Sequence, residues 1–236
     1  MTSAFLHILA MGLMMLDHLW ATIVPNNDWM TWLGRLAFPI FAFLIAEGYR
    51  RTKDVKKYRK RLLLFALISE IPMNLMTMGS FINPFHQNVL WTFLIALQCM
   101  IFLDQLKDSR WRYLGSFFVC LAGFLLGYVG FTDYYGAGVL TVLVFYFFHK
   151  KNVWHLLGQV VCLYILHVHL LGGFTYIVEL GRFEIGIVQQ GMALLSLLPI
   201  WLYRGAQGYH APWFRKFCYW FYPAHMLVLY LIWLVA

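Results

Sequence analysis

Charged residues are scarce in this 236-residue sequence, at 12% of all positions. Soluble domains carry roughly 25% charged residues and roughly 45–50% apolar residues. The apolar share here is 62%, so a water-soluble globule is excluded. Cysteines number only four, all within or beside apolar runs. They are interpreted as small packing residues rather than as disulfide partners or metal ligands.

Motifs of several common enzyme classes are also missing. The chain has no P-loop, no dinucleotide fingerprint and no strand–turn–helix setting for a nucleophilic serine. No two histidines stand four residues apart in an apolar run, so no metal site is predicted. Functional residues are therefore expected among the few polar residues inside the apolar runs.

Long apolar runs dominate the chain. A helix that crosses a ~30 Å hydrocarbon layer needs about 20 residues. Nine runs approach this length, and the sixth is short and rich in glycine. They occupy residues 4–24, 30–49, 62–78, 89–106, 113–129, 136–148, 153–171, 185–203 and 217–235. With short loops and no internal repeat, the sequence predicts a single all-α domain over residues 1–236, a membrane bundle of about nine transmembrane helices.

Basic residues give the orientation of this bundle, because Lys and Arg near span ends stay on the cytoplasmic side. With a cytoplasmic N-terminus, four loops on that side hold sixteen of the 18 Lys and Arg residues, and only Arg35 and Arg182 lie elsewhere. The bias indicates a multi-pass protein of the cytoplasmic (inner) membrane, in contact with its lipids. It also accounts for the net charge of +8, so no nucleic-acid partner is predicted.

The basic loop at residues 50–61 has two interpretations. It can be a positive-inside anchor, or it can hold the phosphates of an anionic cytoplasmic ligand such as coenzyme A. The two are compatible. The residues assigned to such a ligand are Arg50, Arg51, Lys53, Lys57 and Arg61.

Polar residues inside the spans are the most informative feature, because an ionisable group in a membrane is costly and usually functional. Several share one level, somewhat outward of the midplane, which predicts a water-accessible cavity there. They are Asp17, His18, Arg35, Asn88, Tyr135, His167, His169, Gln189 and Gln190. Of His167 and His169, at most one is expected to face the cavity. Glu70 and His225 lie near mid-span, as a second polar layer.

Three of these residues have an obvious chemical use. His18 is suited to proton transfer because its imidazole titrates near neutral pH. Arg35 would hold a carbonyl, carboxylate or phosphate through its planar fork. Asp17 can pair with Arg35, and that pair can also be purely structural.

Several segments of the chain resemble the TraX family. They lie at residues 10–20, 34–43, 47–49, 69–72, 88–93, 135–138 and 221–225, and include Asp17-His18 and the Gly34-Arg35 motif followed by Phe38-Pro39. The family is named after a conjugative-plasmid protein associated with N-terminal acetylation of pilin. It looks distantly related to the membrane acyltransferase type 3 group, in which an essential histidine lies in the first span, as His18 does here.

This resemblance implies an acetyltransferase that moves an acetyl group from acetyl-CoA to an acceptor amine or hydroxyl. His18 would be the general base, assisted by Asp17 and Arg35. Asn88, Tyr135, Glu70 and His225 would position substrates or stabilise the oxyanion. The acceptor stays open: a peptide, a carbohydrate or another small molecule. Two alternatives are a proton-coupled small-molecule transporter and a non-catalytic assembly factor of a conjugation or secretion apparatus.

Overall fold

The computed structural model describes residues 1–180 and 183–235. Its helices are α1 (Ser3–Thr22), α2 (Asp28–Gly34), α3 (Ala37–Arg51), α4 (Val55–Met78), α5 (Val89–Leu106), α6 (Arg112–Val129), α7 (Tyr135–Phe147), α8 (Val153–Tyr164), α9 (Leu197–Trp201) and α10 (Pro212–Val235). A π-helix (Ile165–Leu171) continues α8. Seven helical stretches of the described residues are long and apolar enough to cross a membrane, counting α2 with α3 and α8 with the π-helix. The predicted all-α membrane bundle is confirmed.

The sixth predicted span is a shorter helix. The 13 residues of α7 cover only about 20 Å. Nine of them are buried, and α7 packs against α3, α5 and α6. Since its neighbours cover it with protein, α7 does not have to match the hydrocarbon thickness by itself.

The eighth predicted span, at 185–203, is wrong as a continuous helix. Its first residues form strand β2 (Phe183–Val188), which pairs antiparallel with β1 (Thr175–Leu180). A 3-10 helix (Gln189–Ser196) and the short α9 then return to the other end of the bundle. Both strands are rich in β-branched residues, which favour a pleated strand over a helix. The predicted outlier Arg182 lies outside the described residues.

One end of the bundle collects the basic loops. The amino group of Met1 donates to the carbonyl of Leu202 at 2.6 Å, and Arg51 donates to the carbonyl of Gly205 at 2.6 Å. Arg50 donates to the carbonyl of Phe145 at 2.7 Å. The positive-inside rule predicts that this is the cytoplasmic end, and the opposite end carries the hairpin.

The middle of the bundle is packed around α3. Ile40, Ala42 and Ala46 of α3 are fully buried, as are Leu97 of α5 and Val142 of α7. Many large apolar side chains on α4, α6 and α10 point outward instead. Such outward faces are disfavoured in water but are solvated by lipid chains, as the composition of the sequence requires.

Candidate functional site

Arg35 lies at the junction between α2 and α3, next to α1. Pro39 has no N–H to donate to the carbonyl four residues earlier, which belongs to Arg35, so the helix is interrupted there. Gly34 allows the junction to approach α1 closely. A Cβ on Gly34 would overlap the side chain of Asp17.

Asp17 and Arg35 form the ion pair that the sequence predicts. Nη2 of Arg35 donates to both carboxylate oxygens at 2.5 Å, and the hydroxyl of Thr31 donates to Oδ1 at 2.7 Å. Each charged side chain is only 16% exposed. Asp17 therefore orients Arg35, whose Nε is buried without a hydrogen-bond partner in the described part of the chain.

His18 of α1 and His225 of α10 form a second polar contact. Nδ1 of His18 lies 2.7 Å from Nε2 of His225, and Nδ1 of His225 lies 2.7 Å from the carbonyl oxygen of Phe221. A carbonyl can only accept, so Nδ1 of His225 carries the proton and its neutral ring offers Nε2 as an acceptor. His18 must then donate from Nδ1. The tautomer that follows leaves Nε2 of neutral His18 with a free lone pair.

Asp17, His18 and Arg35 line one cavity of about 180 Å³. Asp133 and Tyr134, from the loop between α6 and α7, complete its polar wall. Its apolar wall comes from α1, α3, α4, α5 and α10. A cavity of this size has room for a small molecule next to the imidazole of His18 and the fixed guanidinium of Arg35.

Tyr134, rather than the predicted Tyr135, lines this cavity. The ring of Tyr134 stacks on Phe38, with centroids 3.8 Å apart. Tyr135 is 43% exposed and contacts Tyr128. Both tyrosines have positive φ, at 60° and 46°, a costly backbone conformation for bulky residues. Such strain is concentrated at functional sites.

Asn88 and Glu70 lie apart from the cavity, in a contact between α4 and α5. Asn88 is fully buried and caps α5 through its Oδ1. Its Nδ2 donates to the carboxylate of Glu70, which also accepts from the indole of Trp91 at 2.7 Å. These contacts use both side chains to join two helices.

A further polar group lies between the 3-10 helix, α2 and the π-helix. The amide of Gln189 donates to Thr31 at 3.0 Å and so supports Asp17 indirectly. Gln190 lies beside His167, which is fully buried and contacts Thr141 at 3.3 Å. His169 is exposed, so only His167 of the two faces the interior, as the helix geometry predicts.

The basic residues assigned to coenzyme A are dispersed at the end of the bundle that carries the basic loops. Arg50 donates to two backbone carbonyls, and Arg51 pairs with Glu47 at 2.6 Å. Arg61 stacks over aromatic rings of α4 and α10, and Lys53 and Lys57 are exposed. These five side chains do not converge on one site.

Three site residues were missed from the sequence: Thr31, Asp133 and Tyr134. Asp133 lies three residues before the apolar run at 136–148, so a search for ionisable residues inside the predicted spans does not reach it, although its place next to a span is a signal of the same kind. Thr31 and Tyr134 carry no comparable signal, because either residue is common at the end of a membrane helix.

Comparison with known proteins gives two matches. The family model described as TraX protein matches residues 2–233. A segment of 73 residues is 33% identical to the "Probable fimbrial assembly protein FimC, serogroup H1" of Dichelobacter nodosus. This segment is 29% of the present chain and spans 30% of that relative's length. No solved structure shows significant similarity.

Proposed function

The chain belongs to the TraX family, and we propose that it is a membrane acyltransferase that moves an acetyl group from acetyl-CoA to an amine or hydroxyl. Its place is the cytoplasmic membrane, and its role belongs to pilus or conjugation functions. The family supports this role, as does the similarity to a protein named for fimbrial assembly. A distant relation to the membrane acyltransferase type 3 group stays a prediction.

The contact between His18 and His225 carries the proposal. It holds His18 in the tautomer whose Nε2 can take a proton, in the manner of a general base fixed by a third group. The carboxylate of Asp17, by contrast, is already occupied by three hydrogen bonds. His18 is therefore the base of the site, and His225 is its positioning residue.

A single base is sufficient for both proton transfers of the reaction. Nε2 of His18 removes the proton from the acceptor N–H or O–H as the acceptor's lone pair forms a bond to the acetyl carbonyl carbon. The bond between that carbon and the thioester sulfur then breaks, and the electron pair leaves on sulfur. The proton held by His18 passes to the thiolate, so free thiol and acetylated acceptor are the products.

Negative charge develops on the carbonyl oxygen during this step. Arg35 lines the cavity with a guanidinium fixed by Asp17, and the phenol of Tyr134 lines the same wall. Donors held in place before the reaction stabilise such an oxyanion without reorganisation. We assign this role to Arg35 first and to Tyr134 second.

The test is thiol release from acetyl-CoA by purified protein in nanodiscs, with peptide amines and sugars screened as acceptors. His18→Ala should lower the rate by about 10²–10⁴-fold, the usual contribution of a general base. His225→Gln should retain more activity than His225→Ala, because a glutamine carbonyl can still accept from Nδ1 of His18.

His169→Ala is the matched control, since this histidine lies at the same end of the bundle but is exposed. It should leave the rate unchanged. If saturating acetyl-CoA releases no thiol with any acceptor class, or if His18→Ala is as active as wild type, the proposal is wrong.

A non-catalytic assembly factor is the second candidate, favoured by the local similarity to the fimbrial assembly protein. The two candidates separate in cells. A pilus-producing host that carries His18→Ala should assemble unacetylated pili if the protein is an enzyme. An assembly factor should instead keep its full function in this variant.

A further inference from the structure

The cytoplasmic end of the bundle has a larger cavity, of about 300 Å³, lined on one side by Phe43, Glu47 and Arg50 of α3. Its rim is formed by the loop that follows α7 and the loop that follows α9. Lys151 ties these loops together, because its ammonium donates to the carbonyls of Trp201 and Tyr203. This contact between the two loops therefore fixes the rim of the cavity.

Positive charge dominates this cavity. Arg50, Lys150, Lys151 and Arg204 line it, with Glu47 as its one acidic residue. Glu47 is already paired with Arg51 at 2.6 Å. Burial, with a smaller effect from Arg50, lowers the pKa of His149, so this imidazole adds no charge at neutral pH. The side chains of Lys150 and Arg204 make no hydrogen bond or ion pair within the described residues and are exposed.

Aromatic side chains form the other wall. Trp201 and Tyr203 line the cavity beside the cations, and Phe43 lies at its inner limit. Cations beside flat aromatic faces suit a ligand with both phosphates and a planar base. A simple inorganic anion would make no stacking contact with the aromatic wall.

Above this cavity, the 3-10 helix packs against α3 and α8, and two buried polar atoms along it have no partner in the described part of the chain. They are Oγ of Ser196 on the 3-10 helix and Nε of Arg35 at the junction of α2 and α3. The side chains of Gln190 and His167, by contrast, lie beside each other. Buried polar atoms are rarely left unpaired, because each costs about 1–3 kcal/mol. The 3-10 helix and α9 pack along α3, which spans roughly 22 Å between the cytoplasmic cavity and the ion pair of Asp17 and Arg35.

We infer that this cavity and interface bind the acyl donor, with the nucleotide phosphates of coenzyme A at Lys150 and Arg204 and the amide-bearing arm against Ser196. The inference rests on the proposed function for the identity of the donor. It replaces the loop at 50–61 as the phosphate site, because only Arg50 of the five residues assigned there lines the cavity.

The direct test is calorimetric binding of adenosine 3′,5′-bisphosphate, the nucleotide head of the donor without its arm, to the full-length protein in nanodiscs. Lys150→Ala and Arg204→Ala should each weaken binding about tenfold, the low end for a hydrogen bond to a charged group. Lys107→Ala, an exposed lysine at the same end but outside the cavity, should bind like wild type.

Ser196→Ala tests the arm. Removing an unpaired hydroxyl should not impair folding, and the bisphosphate should bind normally. The KM for acetyl-CoA should rise about 2–10-fold, as expected for one lost hydrogen bond.

Three results would overturn the inference: no binding of the bisphosphate to wild type, unchanged binding to Lys150→Ala and Arg204→Ala, or losses only in Lys53→Ala and Lys57→Ala. Acetyl-pantetheine, which has no nucleotide, separates this failure from a failure of the proposed function. If it is turned over with dependence on His18 while the cavity variants bind normally, only the site is wrong. If neither thioester is turned over, the proposed function fails.

Discussion

Replacing Asp17 by Asn removes the carboxylate that accepts two hydrogen bonds from Arg35. The shape of the side chain stays nearly the same, and the hydroxyl of Thr31 keeps an acceptor. Arg35 is left as a mostly buried cation without its partner. Breaking a buried pair from one side costs about 3–5 kcal/mol. The 16% exposure of each side chain favours the lower end, about 3 kcal/mol.

The double variant Asp17→Asn with Arg35→Met separates folding from catalysis. It has no buried charge left to satisfy, so it should be more stable than Asp17→Asn alone. Both variants should lose thiol release, because neither presents a fixed guanidinium to the cavity.

The assay is reversible unfolding in mixed micelles of the wild type, the two single variants and the double variant. A complete cycle isolates the coupling between the two sites. If the losses in free energy of unfolding that the two single variants show relative to wild type add up to the loss in the double variant within about 0.5 kcal/mol, the pair is not coupled and the reasoning fails. Full activity in the double variant would refute the role of Arg35.

Two further predictions concern the walls of the same cavity. Gly34→Ala should lower activity and stability, because its Cβ would push Asp17 away, whereas Gly12→Ala, with open space around it, should be neutral or stabilising by thermal unfolding. Tyr134→Phe should slow thiol release, and Tyr135→Phe should not. An equal effect of the two tyrosine variants would count against Tyr134 as a donor in the cavity.

The bundle was predictable because a membrane imposes a length and a polarity on each span. The basic loops predict the orientation, which stays a prediction, and the structure brings the N-terminus and these loops to one end. The prediction went wrong at 185–203, where an apolar run was assigned to a helix. Apolar content alone does not distinguish a helix from a strand rich in β-branched residues. The first residues of this run form a strand because β2 pairs with β1.

The sequence by itself determined which residues are too costly to stand in a membrane without a purpose, and it identified Asp17, His18 and Arg35 on that basis. Only the tertiary structure decided how they are arranged. His225 lies 207 positions from His18, and their contact selects the tautomer of His18. The backbone conformation at residues 134 and 135 places Tyr134, rather than the predicted Tyr135, in the wall of the cavity. Such contacts depend on how distant helices pack, which no local pattern in the chain encodes.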